Sequence, residues 1–403
     1  MNKSIAHLDL DSFFVSVERL HNKKLLNKPV LIGGSGNRGV VAAASYEARK
    51  YGVHSAMPMR LARELCPEAI LVKGDHDSYS RHSAIVTDII RDKAPLFEKA
   101  SIDEFYLDLT GMDRFFGTYK WATELRDTIV RESKLPISMG LSNSKSVAKI
   151  ATGEAKPNGQ IKIDFGNEKP FMAPLSIRKI PMIGEKTYKN LRYMGFKQIM
   201  TIQEMPLEAM EQLMGKNGIA IWKKANALDN SPIVPYYEEK SISTEQTFYH
   251  DTADMPRLNA LLVTMVEKLG YLLRKKQKLT GTIVVKIRYS NFDTHTLQSR
   301  VSHTSSDEVI LEKVKELFAK LYERRMLLRL IGIKLTNLIT GHYQINLFSD
   351  CLEQIALYQA LDHIKKRYGI KSVRKAIAMR QELHEFSPFG TSSSLPAGKA
   401  GSA

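Results

Sequence analysis

With 403 residues, 43% of them hydrophobic and 25% charged, the chain holds enough apolar material for several cores and is too long for one, so two to four domains are expected. Lysine and arginine outnumber acids by 59 to 43, a formal charge of +16, and a field of that sign attracts a polyanion, nucleic acid first. No run approaches the ~20 apolar residues of a membrane span, the opening MNKSIAHLDLD lacks a signal-peptide core, and Cys66 and Cys351 form no CxxC pair. A membrane span, a disulfide framework and a zinc site therefore have no support, and a cytoplasmic location is expected.

Residues 5–10 alternate and lean apolar, which predicts a strand, and a helical pattern follows through Phe13, Phe14, Val17 and Leu20. Asp11, just ahead of that pattern, reads as the helix N-cap and is given a structural role. Residues 30–45 read as two strands about a glycine-rich loop, and SYEARKYG as a helix that Gly52 ends. Gly34, Gly36 and Gly39 fit GxGxxG, but VVAAAS follows where a dinucleotide fold needs a helix, so the loop is read as a hairpin. A helix is predicted over 79–94, then a strand near LFEKASIDEFYLDLT, a helix over 119–133, a strand at PISMGLS and a helix from Lys145. That order suggests a split βαβ sheet of the ferredoxin-like sort.

Residues 175–230 look all-helical, with IPMIGEKTYKNLRYMGF shaped as helix, Pro/Gly turn, helix. The two prolines of SPIVPYYEEKS mark a linker. Beyond it, 241–341 predicts a separate α+β domain, with helices over 257–273 and 307–322 and strands at GTIVVKIRY and RLIGIKLTNL. This segment carries 16 Lys and Arg against 10 Asp and Glu, so it shares the basic character. LEQIALYQALDHIKKRYG has helical spacing, whereas SPFGTSSSLPAGKAGSA is a low-complexity tail with no core to fold around.

Asp9 closes the first strand, and Asp103 with Glu104 interrupts another, so strands of one small sheet could bring three carboxylates together. Such a group repels itself, and a divalent ion removes that cost while taking the oxygen ligands Mg2+ prefers. Two ions ~4 Å apart can activate an attacking oxygen and stabilise a leaving phosphate. A single strand-edge acid more often faces water, but three in one apolar sheet favour a metal site. Strict alternation would point Asp103 and Glu104 to opposite faces, so a turn or bulge at 101–103 is required if both serve it. Tyr46 and Arg49, three apart on a helix, share a face and offer a hydroxyl and a forked cation to phosphate.

HLDLDSFFVSVE, AAASYEARKYGV, SIDEFYLDLT and GLSNSKSVAKIATGEAKPNG, in this order and at these intervals, resemble the signature segments of Y-family translesion DNA polymerases, nearest the bacterial DNA polymerase IV type. The likeness covers residues 1–341 and continues more weakly through the last helix. It implies a multidomain α+β right hand: palm at 1–16 and 75–170, fingers at 17–74, a helical thumb with a helix-hairpin-helix at 171–235, a linker at 236–240 and an α/β little finger at 241–341. A clamp-binding motif and C-terminal helix would occupy 342–386, before an unstructured tail at 387–403.

The resemblance further implies that Asp9, Asp103 and Glu104, with the Leu10 carbonyl, hold two Mg2+ ions, or Mn2+ in their place. Ser45, Tyr46, Arg49 and Lys156 would grip the incoming triphosphate. Phe13 and Phe14 would lie at the nucleotide, Phe14 as the ring that leaves no space for a 2′-hydroxyl and Phe13 turned more inward. Met182, Ile183 and Gly184 in the hairpin turn, with Arg274, Lys275 and Lys276 in a basic run, are the candidate DNA-backbone contacts. Gln344, Leu347 and Phe348 belong to a stretch resembling the sliding-clamp-binding pentapeptide of bacterial polymerases.

The activity implied is template-directed, low-fidelity transfer of a nucleotide from dNTP to a primer 3′-OH, without proofreading. Its bearer would be a monomer associated with the nucleoid, with primer-template DNA and the bacterial sliding clamp as partners. Short fingers and the small side chains Val41, Ala42, Ala43 and Ala44 agree with weak checking of the base pair. A nucleotide cyclase shares strand-borne acids and two metals but needs no helix-hairpin-helix or basic C-terminal domain. A catalytically inactive DNA-bound scaffold of the same family has no use for Asp9, Asp103, Glu104, Phe14, Tyr46, Arg49 and Lys156 together, and a two-metal nuclease has none for an aromatic ring at the sugar.

Overall fold

The computed structural model describes residues 3–34, 36, 38–112, 117–324, 326–341 and 352–379. The chain divides into two compact units, the first made mainly of residues up to Tyr237 and the second mainly of those from Glu238. The first unit opens with β1 (Ile5–Leu10), α1 (Phe13–His21), β2 (Val30–Gly33), β3 (Val41–Ala44), α2 (Tyr46–Arg49), α3 (Met59–Leu65) and β4 (Ile70–Val72). It continues through α4 (His76–Lys93), β5 (Phe97–Lys99), β6 (Glu104–Asp108), α5 (Thr118–Ser133), β7 (Ile137–Ser142), α6 (Lys145–Ala155) and β8 (Gln160–Lys162).

Five of these strands form one sheet in the order β5-β6-β1-β7-β8, with β1 antiparallel to both β6 and β7. Without the edge strand β8, this is the ferredoxin-like order, with α4 and α5 as the crossovers. The alternation of β1 separates the two faces of the sheet. Ala6, Leu8 and Leu10 are buried in a core with Val86 and Ile90 of α4 and Leu125 and Ile129 of α5. His7 and Asp9 point to the other face, where α6 lies. Gly140 of β7 permits that approach, because a Cβ there would come within 2.3 Å of the Ala148 carbonyl oxygen and 2.5 Å of the Thr152 amide.

β3, β2 and β4 form a second, three-stranded sheet. β2 and β3 pair antiparallel about the glycine-rich loop, as the hairpin reading expects. Its core of Leu31, Val41, Ala44, Ala48, Met59 and Ala62 includes Cys66, a packing residue. Two local expectations are corrected. LFEKASIDEFYLDLT is not one strand: it folds back at 100–103 into β5 and β6, with the Ala100 and Ser101 amides both donating to the Glu104 carbonyl. Asp11 does not cap α1, because Ser12 holds the N-cap in a left-handed conformation, φ 42°, and the Asp11 carboxylate is drawn inward by other donors.

The rest of the first unit is helical: α7 (Glu168–Met172), α8 (Glu185–Tyr193), α9 (Ile199–Gln203), α10 (Leu207–Met214) and α11 (Lys216–Ala225). Their core of Ile177, Ile183, Leu191, Ile202, Met210 and Ile221 takes in Val147 and Ile150 of α6, so α6 serves the large sheet with one face and these helices with another. The first helix of the expected hairpin is only a 3-10 turn, Ile177–Lys179.

The second unit holds β9 (Ser241–Thr252), α12 (Met255–Lys275), β10 (Lys278–Tyr289), β11 (Thr294–Thr304), α13 (Asp307–Leu321), β12 (Leu328–Thr340), α14 (Leu352–Tyr368) and α15 (Ala376–Met379). Its strands form an antiparallel sheet, β11-β10-β12-β9, whose inner face packs Ile283, Val285 and Ile333 against Leu262, Val266 and Leu269 of α12 and Val314 and Phe318 of α13. Neither β9 nor β11 was legible as a separate element, because their residues are largely polar and only one face of the sheet is covered. α14 is anchored by Arg274, which donates to both Asp362 oxygens at 2.7 and 3.0 Å and to Asp307 at 2.7 Å, with its guanidinium 4.6 Å from the Tyr358 ring. The Gln344–Phe348 stretch, Cys351 and the terminal tail lie outside the described residues.

Candidate active site

The carboxylates converge where β1 and β6 meet. Asp9 and Glu104 are direct partners across the two strands. Asp103 sits in the bend before β6, and its carbonyl accepts from the Leu10 amide at 3.0 Å. Ser101 sets the bend: its hydroxyl oxygen accepts from the Glu104 amide at 3.0 Å and its O–H donates to Asp103 Oδ1 at 2.6 Å. The alternation objection is removed, because Asp103 precedes the strand instead of belonging to it.

Facing these acids, α6 presents Lys145, Lys149, Thr152 and Lys156 at helical spacings of 4, 3 and 4 residues. Each meets a polar group of the sheet. Lys145 donates to both oxygens of buried Glu98 at 2.7 Å. Lys149 donates to both oxygens of Glu104 at 2.6 and 2.5 Å, and Lys156 lies 2.5 Å from Asp9 Oδ1. The Thr152 hydroxyl is 2.9 Å from Nδ1 of the buried His7. Sequence reading singled out Lys156 and missed Lys149 and His7, although the lysine spacing could have flagged the former.

Burial pushes the Asp9 carboxyl up to about 6; Lys156 opposes this, and the neighbouring charges of Glu104 and Asp103 add to it. Glu104 moves the other way, to about 2, under the His7 ring and Lys149. His7 Nε2 stands 3.9 Å from Glu104, too far for a hydrogen bond, so we ascribe the hold chiefly to Lys149. Burial lowers the His7 pKa and keeps that ring neutral.

As the side chains stand, no three Asp, Glu, His or Cys groups among the described residues are arranged to hold a metal ion. The reason is visible: lysine ammoniums occupy the oxygens of Asp9 and Glu104, and Ser101 occupies Asp103. The donor set nevertheless fits a hard divalent cation, since three carboxylates come close together at the β1–β6 junction, and Asp9, raised in pKa first by burial, also feels the charges of Glu104 and Asp103.

Among the remaining site residues, Arg49 lies over the Tyr46 ring at 5.0 Å, which places both on one face of α2. The Tyr46 hydroxyl donates to Asp11 Oδ1 at 2.9 Å, while Asp11 Oδ2 accepts from Ser138 Oγ at 2.8 Å and the Asn158 amide at 2.7 Å. Asp11 thus ties α2, β7 and the segment after α6 to one buried carboxylate. Ser45 faces inward: it is fully buried and its oxygen accepts from the Val30 and Ala48 amides, so a nucleotide contact by its hydroxyl is corrected to a capping role. Phe13 is core. Phe14 is half-buried and stacks on Tyr79 with ring centroids 4.3 Å apart.

The DNA-contact candidates are redistributed. Arg274 is corrected to an internal anchor, its side chain 5% exposed between two carboxylates. Lys275 is exposed, and Lys276 is exposed but paired with Glu239. At the hairpin turn Met182 is 78% exposed, yet Ile183 is core, and the Ile183 and Gly184 amides are spent on Ile180 and Met182 carbonyls. The first helical bond of α8 runs from the Tyr188 amide to Gly184, which leaves the Glu185, Lys186 and Thr187 amides as the end-facing donors.

Comparison with known proteins identifies the family. Residues 8–153 match the impB/mucB/samB family and residues 239–347 its C-terminal domain. The DNA polymerase IV of Dehalococcoides mccartyi strain BAV1 is 36% identical over 376 residues, covering 92% of this chain and 96% of its own. That of Staphylococcus aureus strain Newman is 35% identical over 345 residues, covering 85% and 97%. A solved Y-family DNA polymerase chimera of Dbh and Dpo4 superposes with a TM-score of 0.73 at 26% identity, and an insertion ternary complex of Dbh DNA polymerase with 0.62 at 27%, each covering 84% of this chain and all of its own. With that extent of sequence and fold in common, the chain belongs to the Y family of DNA polymerases, in its DNA polymerase IV branch.

Proposed function

We propose that this chain, a DNA-directed DNA polymerase of the translesion type, performs nucleotidyl transfer at the junction of β1 and β6. Asp9, Asp103, Glu104 and the Leu10 carbonyl would hold two Mg2+ ions, or Mn2+ in their place. Such ions supply Lewis acidity at the attacking 3′-oxygen and counter-charge at the departing pyrophosphate. The observation that carries the reading is the cross-strand pairing of Asp9 with Glu104, with Asp103 tied by its carbonyl to Leu10.

The substrates are primer-template DNA and a deoxynucleoside triphosphate; a relative of the same fold was solved as an insertion ternary complex. Tyr46, Arg49 and Lys156 would bind the triphosphate, Asp11 holding the Tyr46 hydroxyl in place. Phe14 would exclude a 2′-hydroxyl, its ring supported from behind by Tyr79. In right-hand language the five-stranded sheet is the palm, the three-stranded sheet the fingers, the helices after β8 the thumb and the second unit the little finger. Residues 344–348 would tether the enzyme, acting as a monomer, to a sliding clamp. No helix among the described residues is long and apolar enough to cross a membrane, and nucleoid association follows from the substrate. Family membership disfavours the cyclase alternative, and the relatives named DNA polymerase IV and the ternary complex of a like fold disfavour an inactive scaffold of the same family.

Primer extension tests the proposal. Asp103→Asn and Glu104→Gln, made singly, should each lower incorporation by about a thousandfold or more while DNA binding in a gel-shift assay stays near the parent level. Full activity in both variants would sink the two-metal assignment.

A further inference from the structure

A cavity of about 350 Å3 lies in the first unit, at the end of the large sheet remote from the carboxylates. It is lined by Lys3 and Ser4 ahead of β1, the first turn of α5, the end of β7 with Asn143, and the end of β8 with the residues up to Phe165. That size suits a small molecule. Ser4 and Asp9 are five residues apart in extended chain, about 17 Å, so this cavity and the carboxylate site share strands but no residue.

The start of α5 is left unmet. Its N-cap is Gly117, which has no side chain to cap the helix, and the first helical bond runs from the Trp121 amide to the Gly117 carbonyl at 3.1 Å. The Thr118, Tyr119 and Lys120 amides therefore have no partner among the described residues, at the positive end of a 16-residue helix. No acid stands in that first turn, which carries Lys120 instead, a charge the helix dipole disfavours. Lys162 is held by Asp164 at 2.6 Å, whereas Lys3 and Lys120 form no ion pair among the described residues. The Thr118 and Ser142 hydroxyls, in residues 8% and 4% exposed, and Asn143 Oδ1 have no hydrogen-bond partner among the described residues either. Buried polar atoms are rarely left so, and three in residues lining one cavity point to a ligand that supplies their partners.

Three amides, the Thr118 hydroxyl and two ammoniums exceed what the two oxygens of a carboxylate can take. A phosphate monoester, with three terminal oxygens and nearly two negative charges, accepts them all. Beside these donors the wall is apolar, with Tyr119, Leu141, Ile163 and the 68% exposed Phe165. A flat ring laid there covers the phenyl, and Asn143 Oδ1 can accept from an exocyclic amine or a sugar hydroxyl. We propose that this cavity binds a nucleoside monophosphate at a site separate from the polymerase centre, its phosphate on the N-terminus of α5 with Lys3 and Lys120 and its base against Phe165.

Isothermal titration of the full chain with deoxyadenosine monophosphate tests this, in EDTA so that no divalent ion loads the catalytic carboxylates. The expected result is saturable binding at one site with a Kd of about 1 mM or lower. Affinity should fall about tenfold in Thr118→Val and in the double variant Lys3→Ala with Lys120→Ala, and stay near the parent in Thr118→Ser and in Arg49→Ala. Phe165→Ala should weaken the nucleotide about fivefold and leave inorganic phosphate unchanged, and deoxyadenosine should bind at least about tenfold more weakly than its monophosphate. Thermal unfolding checks each variant, and Lys120→Glu, a surface change, replaces Thr118→Val if that one does not fold. No saturation by about 10 mM, or unchanged affinity in the Thr118 and lysine variants, overturns the site. Loss of binding in Arg49→Ala also overturns it, by putting the nucleotide at the polymerase centre. Equal affinity of the parent for inorganic phosphate and the nucleotide overturns the nucleotide assignment.

Discussion

Asp11 is the residue on which sequence and structure give different local pictures of one structural role, and it offers the sharpest test. Its carboxylate is 1% exposed and accepts three hydrogen bonds, from Tyr46, Ser138 and the Asn158 amide. Hydrogen bonds to a charged group contribute about 1.5–3 kcal/mol each, against about 1 kcal/mol for neutral pairs. Asp11→Asn keeps one oxygen for the two donors that share Oδ2 and turns an NH2 group toward Tyr46, whose hydroxyl must then accept. Losing charge assistance in two bonds and reversing the third costs about 2–3 kcal/mol, offset in part because a charge is no longer buried. A net loss of about 2 kcal/mol should lower the Tm of the first unit by about 4–8 °C in calorimetry. Steady-state insertion of a single nucleotide should show a rise in KM for dNTP of about tenfold or less with kcat little changed, because Tyr46 loses its tether and the metal ligands keep theirs. A fall in kcat of about a thousandfold at unchanged Tm would refute the structural role and place Asp11 in the metal chemistry.

Three further outcomes follow from individual contacts. Phe14→Ala should erode discrimination against ribonucleotides by about a hundredfold in single-nucleotide kinetics; equal selectivity in variant and parent would make Phe14 a packing residue against Tyr79 alone. Arg274→Ala strands Asp307 and Asp362 and should destabilise the second unit by about 3–5 kcal/mol in denaturant unfolding, while the salt dependence of DNA binding stays as in the parent. A reduced salt slope would return Arg274 to the DNA surface. Replacing Leu347 and Phe348 with Ala should leave clamp-free primer extension unchanged and remove most of the stimulation by a loaded bacterial clamp; undiminished stimulation would show that another segment is the tether.

Much was legible before any coordinates. In the large sheet and its helices, β1, α4, α5, β7 and α6 carry periodicity or clear stops, and β1 with its alternating Ala6, Leu8 and Leu10 is the plainest; β8 gave no signal and β5 and β6 read as one strand. The acids Asp9, Asp103 and Glu104 stood out because charge interrupts apolar strands. What failed did so where local pattern is silent. Ser101, an ordinary serine in sequence, sets the bend that breaks one apparent strand into the β5–β6 hairpin, through local hydrogen bonds to Asp103 and the Glu104 amide.

Arg274 reads as part of a basic run because sequence shows charge without showing what lies opposite. Asp307 and Asp362 reach it from positions 33 and 88 residues away. Asp11 looked like a helix cap for the same reason: its three donors come from α2, β7 and the segment after α6, distant in the chain and brought together by packing. The amino-acid sequence alone determined most of the elements, the basic character and which residue types are candidates for the site, since these depend on residue type and spacing. Tertiary structure alone decided which charges are spent on one another, because a salt bridge or a buried acceptor is a property of two segments in contact and of the water they exclude.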